Sequence, residues 1–293
     1  MRFSYYLFLI ITKLFSIIPF WLLYFFSDCL FVLFYYLLPY RKKVIFENIS
    51  NSFPDKSEQE KIKLMKGFYK NLCDIIMEGV KGFSMSKAQL VARYKVLNPE
   101  IMDRYFEKGQ DVISVGAHYA NWEWGIIAAP TQIKHQIIGF YTTLSNSYID
   151  EYMRSNRKKL GSEMVAQSDV RKAFSGKKEK PATYFFGADQ SPSNLKGVHW
   201  MNFLNQDTPC MKGHEFFAKH YNMPVVYFDV QRVKRGYYTV KLIPLVENSA
   251  ATSSGEITEK YMRTLEEIIL KKPEDYLWSH RKWKHKRIKS EIN

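Results

Sequence analysis

A histidine and a glutamate that follow an apolar run are the residues of this 293-residue sequence most suited to chemistry. His118 and Glu123 lie in the stretch VISVGAHYANWEWG. An imidazole has a pKa near neutrality, so it can take a proton from an attacking hydroxyl, and a neighbouring carboxylate can orient the ring and stabilise the imidazolium. The pattern therefore predicts that His118 is a general base and that Glu123 orients it.

The flanking residues predict how this pair is held. Residues 112–115 suit a buried strand, Gly116 and Ala117 allow a close turn, and residues 121–129 can continue as a helix. Five residues on an ideal helix subtend roughly 140°, so side chains at that spacing point apart. His118 can meet Glu123 only from the turn before the helix, and we predict that it lies there.

A histidine and a glutamate at this spacing also recur by chance, as a hydrogen-bonded histidine at a strand end and a solvated helix acid. The wider block G-x-H-x-x-N-W-E favours the catalytic interpretation, because it resembles the signature of the lysophospholipid acyltransferase superfamily. N-W-E after the histidine is most similar to the late acyltransferases of lipid A biosynthesis, the lauroyl and myristoyl acyltransferase family. The resemblance implies O-acyl transfer without a covalent enzyme intermediate.

Three further blocks resemble the same family and occur in its order along nearly the whole chain. They are N-x-x-N-S-F-P-D at residues 48–55, D-Q at residues 189–190 and P-E-x-Y-x-W-x-H-R-x-W-K at residues 273–284. The closing block alternates aromatic and basic residues, which could stack on bases, lie at a lipid interface or pack beneath a sheet. At the Asp189 block the family commonly has D-H-D or D-Q, and because the second acid is missing here, the sequence argues against a metal or paired-acid role.

The resemblance also indicates residues that bind substrate. Arginines on a helix over residues 148–160 would face phosphate or acceptor groups, an acid would end the strand at residues 181–188, and a loop at residues 208–213 would hold an anion at the start of the helix 213–220. A solvated basic face, a turn-forming aspartate and simple helix capping are the structural alternatives. The candidates are Asn121, Arg154, Arg157, Asp189, Gln190, Thr208 and Gly213.

The amino-terminal segment predicts contact with a membrane. Residues 3–40 are apolar and aromatic almost throughout, and they end at Arg41-Lys42-Lys43. Residues 20–40 are long enough to cross a hydrocarbon core, and the basic triplet predicts a cytoplasmic location for the rest of the chain. Pro19 and Asp28 keep open a second option, in which residues 3–40 form a hairpin or lie in the interface. A cleaved signal peptide is disfavoured by the length of the apolar run.

Composition narrows the chemistry further. Lys plus Arg exceed Asp plus Glu by 43 to 29, giving a net charge of +14, so anionic partners are favoured: nucleic acid, acidic headgroups or an acidic carrier protein. The three cysteines are far apart, which fits a reducing compartment. Zincin, serine-elbow, Walker and dinucleotide motifs are missing from the sequence, so we expect neither a metal nor a cofactor.

Alternating strands and helices predict an α/β fold: a central mixed β-sheet flanked by helices, similar to glycerolipid acyltransferases, after an N-terminal membrane-anchoring helix. We expect an anchor at residues 1–43 and a catalytic domain at residues 44–293. The expected enzyme moves an acyl chain from an acyl carrier protein to a hydroxyl of a lipid A precursor or related glycolipid, on the cytoplasmic face of the bacterial inner membrane.

Two alternatives stay open at this point. The acceptor could be a lysophospholipid or an amino-acid lipid. The chain could also be a non-catalytic membrane-bound protein that binds lipid or nucleic acid, although our preferred interpretation includes no nucleic acid partner.

Overall fold

A central sheet of seven strands organises the chain, as seen in a computed structural model that describes residues 2–176 and 178–287. The strands are β1 (Tyr94–Val96), β2 (Val112–Gly116), β3 (Gln136–Tyr141), β4 (Glu163–Ala166), β5 (Ala182–Gly187), β6 (His199–Phe203), β7 (Gln206–Cys210), β8 (Val225–Lys234) and β9 (Tyr237–Val246). Seven of these nine strands form the central sheet, in the order β1-β9-β8-β2-β5-β3-β4, and β6 pairs with β7 in a separate hairpin.

Helices flank this sheet and precede it. They are α1 (Arg2–Ile17), α2 (Phe20–Val32), α3 (Lys42–Ser52), α4 (Glu58–Gly82), α5 (Lys87–Arg93), α6 (Glu100–Glu107), α7 (Trp122–Ala128), α8 (Ser147–Lys158), α9 (Val170–Ser175), α10 (Gly213–His220) and α11 (Glu256–Lys271). A π-helical turn, Leu33–Leu37, continues α2. The predicted fold class, a mixed sheet flanked by helices, is confirmed.

The sheet is mixed because β8 and β9 are antiparallel while the other neighbouring strands are parallel. β2 lies at its centre between β8 and β5, and every residue of β2 is buried. A strand covered on both faces reads as a continuous apolar run, and residues 112–115 of the sequence form such a run. In the pairing of β2 with β5, Gly116 is directly opposite Gly187, so the carboxyl ends of these two strands are level.

The spacing of Ser57 and Glu60 in the sequence predicts a capping box, and apolar residues at intervals of three and four predict an amphipathic core helix from there to about residue 82. Helix α4 has these bounds. The Ser57 hydroxyl accepts from the Glu60 amide at 3.3 Å, and the Ser57 amide donates to the Glu60 carboxylate at 2.8 Å. This capping box satisfies backbone groups at the start of the helix. The buried positions of α4 recur at intervals of three and four, including Leu64, Phe68, Leu72 and Ile75, so the predicted amphipathic core helix is confirmed.

Two predicted segments differ in the structure. The sequence favours a short strand over residues 91–97, but only Tyr94–Val96 form one. A second capping box, Ser86 with Gln89, starts helix α5, which continues to Arg93. The loop expected from Thr208 to Gly213 is largely strand β7. Leu204 and Asn205 have φ angles of 50° and 62°, so they form a tight turn that pairs β6 with β7.

The amino-terminal helices pack on the part of the chain that carries the sheet. Helix α2 contacts α4 along its length, and α1 contacts both α4 and α8. The segment Phe20–Leu37 is long and apolar enough to cross a membrane, judged by length and composition. The predicted boundary between residues 43 and 44 falls inside α3. The last residues of the predicted catalytic domain, 288–293, lie outside the described part of the chain.

Candidate active site

His118 lies in the turn between β2 and α7, as predicted, and its ring contacts Asp189. The distance from His118 Nδ1 to Asp189 Oδ1 is 2.8 Å. His118 comes two residues after Gly116, and Asp189 comes two residues after Gly187. Because these glycines pair across two parallel strands, the side chains that come after them meet at the same edge of the sheet.

The turn that carries His118 is fixed by the closing segment of the chain. Ala120 has a φ angle of 50°, an uncommon conformation for a residue with a Cβ atom. Its amide donates to the Asp275 carbonyl at 2.9 Å, and the Leu277 amide donates to the His118 carbonyl at 3.1 Å. Tyr119 forms a β-bridge with Tyr276. These backbone contacts hold the imidazole in place from behind.

The pair is electrostatically coupled. Burial lowers the pKa of His118, but the charge and hydrogen bond of Asp189, helped by the charge of Glu123, outweigh it and raise that pKa above its usual value. Burial likewise raises the pKa of Asp189, but His118 and Lys282 outweigh it and hold that pKa below its usual value. The side chain of His118 is 25% exposed and that of Asp189 only 2%. An accessible imidazole therefore lies in front of a buried, ionised carboxylate.

Glu123 does not make the contact that the sequence predicts for it. Its carboxylate binds Arg157 in a bidentate pair, with Arg157 Nη2 at 2.8 Å from Oε1 and 3.0 Å from Oε2. The hydrogen bond to His118 Nδ1 comes from Asp189 instead. The reason is the position of Glu123 in the first turn of α7, where the guanidinium of α8 draws its carboxylate away from the ring.

His118 faces a cavity of about 480 Å³. Four other candidates from the sequence line it: Glu123, Arg154, Arg157 and Gln190. Arg154 pairs with Glu151 within α8. The wall also includes apolar side chains, namely Ile126, Phe140, Leu144, Met153, Met164, Phe185 and Met211. The cavity thus combines a base, cationic groups and an apolar surface.

Asn121 and Thr208 have other positions. Asn121 is fully buried; its side chain accepts from the Trp124 amide at 3.0 Å and donates to Glu78 at 2.7 Å, so it caps α7 and ties it to α4. Thr208 is also fully buried, and its hydroxyl accepts from Trp283 Nε1 at 2.7 Å. Both side chains hydrogen-bond to protein groups and lie outside the lining of the His118 cavity, so substrate binding by these two residues stays a prediction.

Two further cavities adjoin the first. One of about 1180 Å³ includes Gly213 and the start of α10 in its lining, and shares Phe140, Gln167, Gly187, Ser193 and Met211 with the His118 cavity. Another of about 500 Å³ lies toward α1 and α4, and shares Trp122, Glu123, Met153 and Arg157. The Glu123 and Arg157 pair therefore stands between the His118 cavity and the one beside the amino-terminal helices.

Sequence reasoning missed Lys282. This lysine is 2% exposed, its ammonium donates to the Asp189 carbonyl, and it lies 5.1 Å from the centre of the Phe203 ring. Burial lowers its pKa. His280, from the same segment, accepts from the Ser191 amide at 2.9 Å. Of the three options for the closing block, packing inside the protein is the one observed; a lysine among basic neighbours gave no sequence signal of burial.

Within residues 2–176 and 178–287, no group of three or more histidine, cysteine, aspartate or glutamate side chains is arranged to hold a metal ion.

The imidazole is partly exposed, is hydrogen-bonded to a buried carboxylate and lies at the mouth of a partly apolar cavity. This arrangement is typical of sites that activate a hydroxyl group. The sequence model described as "Bacterial lipid A biosynthesis acyltransferase" matches residues 1–285. The chain belongs to this family and is an acyltransferase, which excludes the non-catalytic alternative. The lysophospholipid and amino-acid lipid acceptors are correspondingly disfavoured, since the family acts in lipid A biosynthesis.

Two curated relatives agree. The chain is 23% identical over 247 residues to the lipid A biosynthesis lauroyltransferase of Escherichia coli (strain K12), covering 83% of this chain and 79% of that protein. It is also 23% identical over 246 residues to a lipid A biosynthesis acyltransferase of Haemophilus influenzae (strain ATCC 51907 / DSM 11121 / KW20 / Rd), covering 83% and 78%.

Proposed function

We propose that this acyltransferase moves a fatty acyl chain from the thioester of an acyl carrier protein to a hydroxyl of a lipid A precursor or related glycolipid, with His118 as general base. The observation that carries the proposal is the 2.8 Å hydrogen bond between His118 Nδ1 and Asp189. It commits Nδ1 to a carboxylate and leaves Nε2 for the acceptor hydroxyl. Asp189 takes the orienting role that the sequence assigns to Glu123.

These positions define the reaction. The acceptor oxygen attacks the thioester carbonyl carbon while its proton passes to His118 Nε2, and Asp189 stabilises the resulting imidazolium. As the tetrahedral intermediate collapses, the carbon–sulfur bond breaks and the thiolate takes the proton from His118. The ester bond is formed, the carrier leaves as a free thiol, and the enzyme returns to its starting protonation state.

The cavity wall supports a phosphorylated, lipid-bearing acceptor. Arg157 and Arg154 present guanidinium groups, whose planar fork binds two phosphate oxygens at once. Glu123 positions Arg157 through Nε and Nη2, and Arg157 Nη1 can then donate to the acceptor phosphate. The apolar side chains of the same wall offer a surface for the acyl chain.

The largest cavity supports a carrier protein as the donor. Basic residues line it next to the His118 cavity: Arg171, Lys196, Lys212 and Lys219. A net charge of +14 further favours an acidic partner over a neutral one. We place the enzyme at the bacterial inner membrane with its catalytic part on the cytoplasmic side, because the basic triplet at residues 41–43 comes directly after the apolar segment.

The purified full-length chain tests the donor and the acceptor together. Acyl carrier protein and coenzyme A thioesters of equal chain length are offered with a lipid A precursor, and the product is identified by mass spectrometry. We expect the double variant Arg171→Glu, Lys196→Glu to raise KM for the carrier thioester about tenfold with little change in kcat, which is about 1.4 kcal/mol of binding.

The matched control is the double variant Lys95→Glu, Lys108→Glu, which reverses two exposed charges, on β1 and at the end of α6, and so changes the net charge by the same amount. It should leave KM unchanged. An equal increase of KM in the test variant and in the control would mean that net charge alone causes the effect. If the enzyme prefers the coenzyme A thioester, the acyl carrier protein is not the donor. If no acyl chain is transferred to the lipid A precursor, the proposed acceptor is wrong.

A further inference from the structure

Helices α1 and α2 expose an apolar face that no part of the described chain covers. Most of the exposed side chains recur at intervals of three and four, so each helix presents an apolar stripe, which Ile11, Phe26 and Leu37 widen. On α1 they are Phe3, Tyr6, Leu7, Ile10, Leu14 and Ile17; on α2 and its π-helical extension they are Trp21, Phe25, Val32 and Tyr36. Such a large continuous apolar surface marks a contact with a membrane or another protein.

The opposite face of α2 packs on α4 in antiparallel order. The pairs run Tyr24 with Glu78, Ser27 with Asp74, Phe31 with Lys70 and Tyr35 with Lys66. The first two are hydrogen bonds of 2.9 and 2.6 Å, and the last two place lysine ammonium groups 5.5 and 5.6 Å from aromatic rings. Helix α2 is therefore attached along its length to a charged helix of the catalytic part.

Asp28, the acid inside the apolar segment, has a side chain that is 59% exposed, and Arg235 of the sheet reaches it. Arg235 Nη2 lies 2.7 Å from Asp28 Oδ1 and 2.6 Å from Asp74 Oδ1, and Arg232 also binds Asp74. Arg235 belongs to the turn between β8 and β9. A strand hairpin of the sheet is thus joined to the middle of the candidate membrane helix.

These contacts decide between the two membrane options. If α2 crossed the hydrocarbon, it would carry Asp74 and Arg235 to about the middle of the membrane and Lys70 and Lys66 into the hydrocarbon nearer one surface, where charged groups are costly. We propose that α1 and α2 lie flat in a single leaflet, with the apolar stripes in the acyl region and α4 above them. The occupant of the exposed face is an anionic lipid leaflet.

Charge and position support this occupant. Lys13, Arg41 and Lys43 are exposed beside the apolar stripes, where they can bind lipid phosphates. At its other end α1 meets α8, with Arg2 Nε 3.3 Å from the Tyr148 hydroxyl. The cavity lined by Phe8 and Arg41 lies between these helices and the Glu123 and Arg157 pair. A lipid acceptor in the leaflet would therefore have a short path to His118.

Spin-label depths test the orientation. Single cysteines replace Trp21, Phe25, Val32 or Tyr36 in a Cys29→Ser background, because these positions share one stripe and Cys29 is exposed. Each variant carries a nitroxide and is placed in nanodiscs of phosphatidylcholine and phosphatidylglycerol. Flat helices predict four depths within about 5 Å of one another, roughly 5–10 Å below the headgroups. A label at Lys95→Cys on β1 should remain in water.

The opposite results are equally distinct. A spanning helix spreads the four labels over about 22 Å, since fifteen residues rise about 1.5 Å each. That spread would overturn the proposal, as would four labels in water or four labels shielded from both lipid and water by a second copy of the chain. Acyl-transfer activity of each labelled variant confirms that it is folded, and it reports on the proposed chemistry separately from the depth.

Discussion

Two buried carboxylates hold the β2 to α7 turn, one through each end, and they are built for different purposes. Asp189 contacts His118, whose ring faces a cavity. Glu78 contacts Asn121 at 2.7 Å, Tyr238 at 2.7 Å and Tyr24 at 2.9 Å, and it is fully buried. The first carboxylate has a titratable partner that faces this cavity; the second has three partners that stay neutral near pH 7.

The pKa values of the two carboxylates are shifted in opposite directions. The charge of His118 keeps the pKa of Asp189 low, whereas burial raises the pKa of Glu78 despite three hydrogen bonds. A carboxylate that must stabilise an imidazolium needs its charge, while one that ties elements together needs only its hydrogen bonds. Burial of an acid therefore does not assign its role. The role depends on the side chain that the acid contacts and on whether that side chain faces a cavity. Substitutions at the two centres should therefore have opposite signatures.

Removing the base should give the largest effect. We expect His118→Ala to lower kcat/KM by about 10²- to 10⁴-fold, the range that a general base contributes. The melting temperature should stay close to that of the wild type, because the turn is fixed by backbone contacts. Steady-state assays and thermal unfolding measure both. Activity within tenfold of wild type would exclude His118 as the base.

Neutralising the carboxylate behind the ring should come next. Asp189→Asn should lower kcat about 10²-fold, toward the lower end of the same range, because an amide cannot stabilise the imidazolium and can favour the wrong tautomer. KM should change little, since Asp189 is buried and does not line the cavity. A selective rise in KM would instead make Asp189 a substrate ligand.

Substitution of Glu123 tests which carboxylate, that of Asp189 or that of Glu123, orients His118. Glu123→Gln should cost about tenfold, or about 1.4 kcal/mol, and mainly in KM for the acceptor, because the loss falls on Arg157. Arg157→Lys should resemble it, since lysine cannot form the bidentate pair. If Glu123→Gln lowered kcat more than Asp189→Asn does, the orienting role would return to Glu123.

The smallest effect on catalysis should come from Glu78. Glu78→Gln replaces an acceptor of three hydrogen bonds by an amide, so it should lower the free energy of unfolding by about 1–3 kcal/mol. Turnover at a temperature where the variant is folded should stay within about threefold. Denaturant unfolding followed by assay at low temperature checks both. Lost turnover in a stable protein would contradict the contrast between the two centres.

Local patterns explain which features could be predicted. His118 lies in its turn because the strand end, the close turn and the helix start are all encoded within a few residues. For the same reason the apolar run at residues 136–141 predicts the strand that is observed there, and residues 213–220 form the expected helix. The sheet and its flanking helices are predictable from alternation along the chain.

Long-range pairing explains which features could not. The contact between His118 and Asp189 depends on β2 lying beside β5, and strand order is not encoded near either residue. The burial of Lys282 and Thr208 depends on how the closing segment meets the β6 and β7 hairpin. Proximity in the sequence favours Glu123 as the partner of the His118 ring. In the structure Glu123 binds Arg157, which belongs to a helix after the next strand.

The pH dependence of kcat/KM in the wild type and in Asp189→Asn tests the central claim most directly. A general base acts in its neutral form, so the rate should rise with pH through the pKa of His118, which Asp189 raises above its usual value. Removing that negative charge destabilises the imidazolium, so the rising limb should move to lower pH while the plateau falls. A limb that stays at the same pH in both proteins would contradict the account.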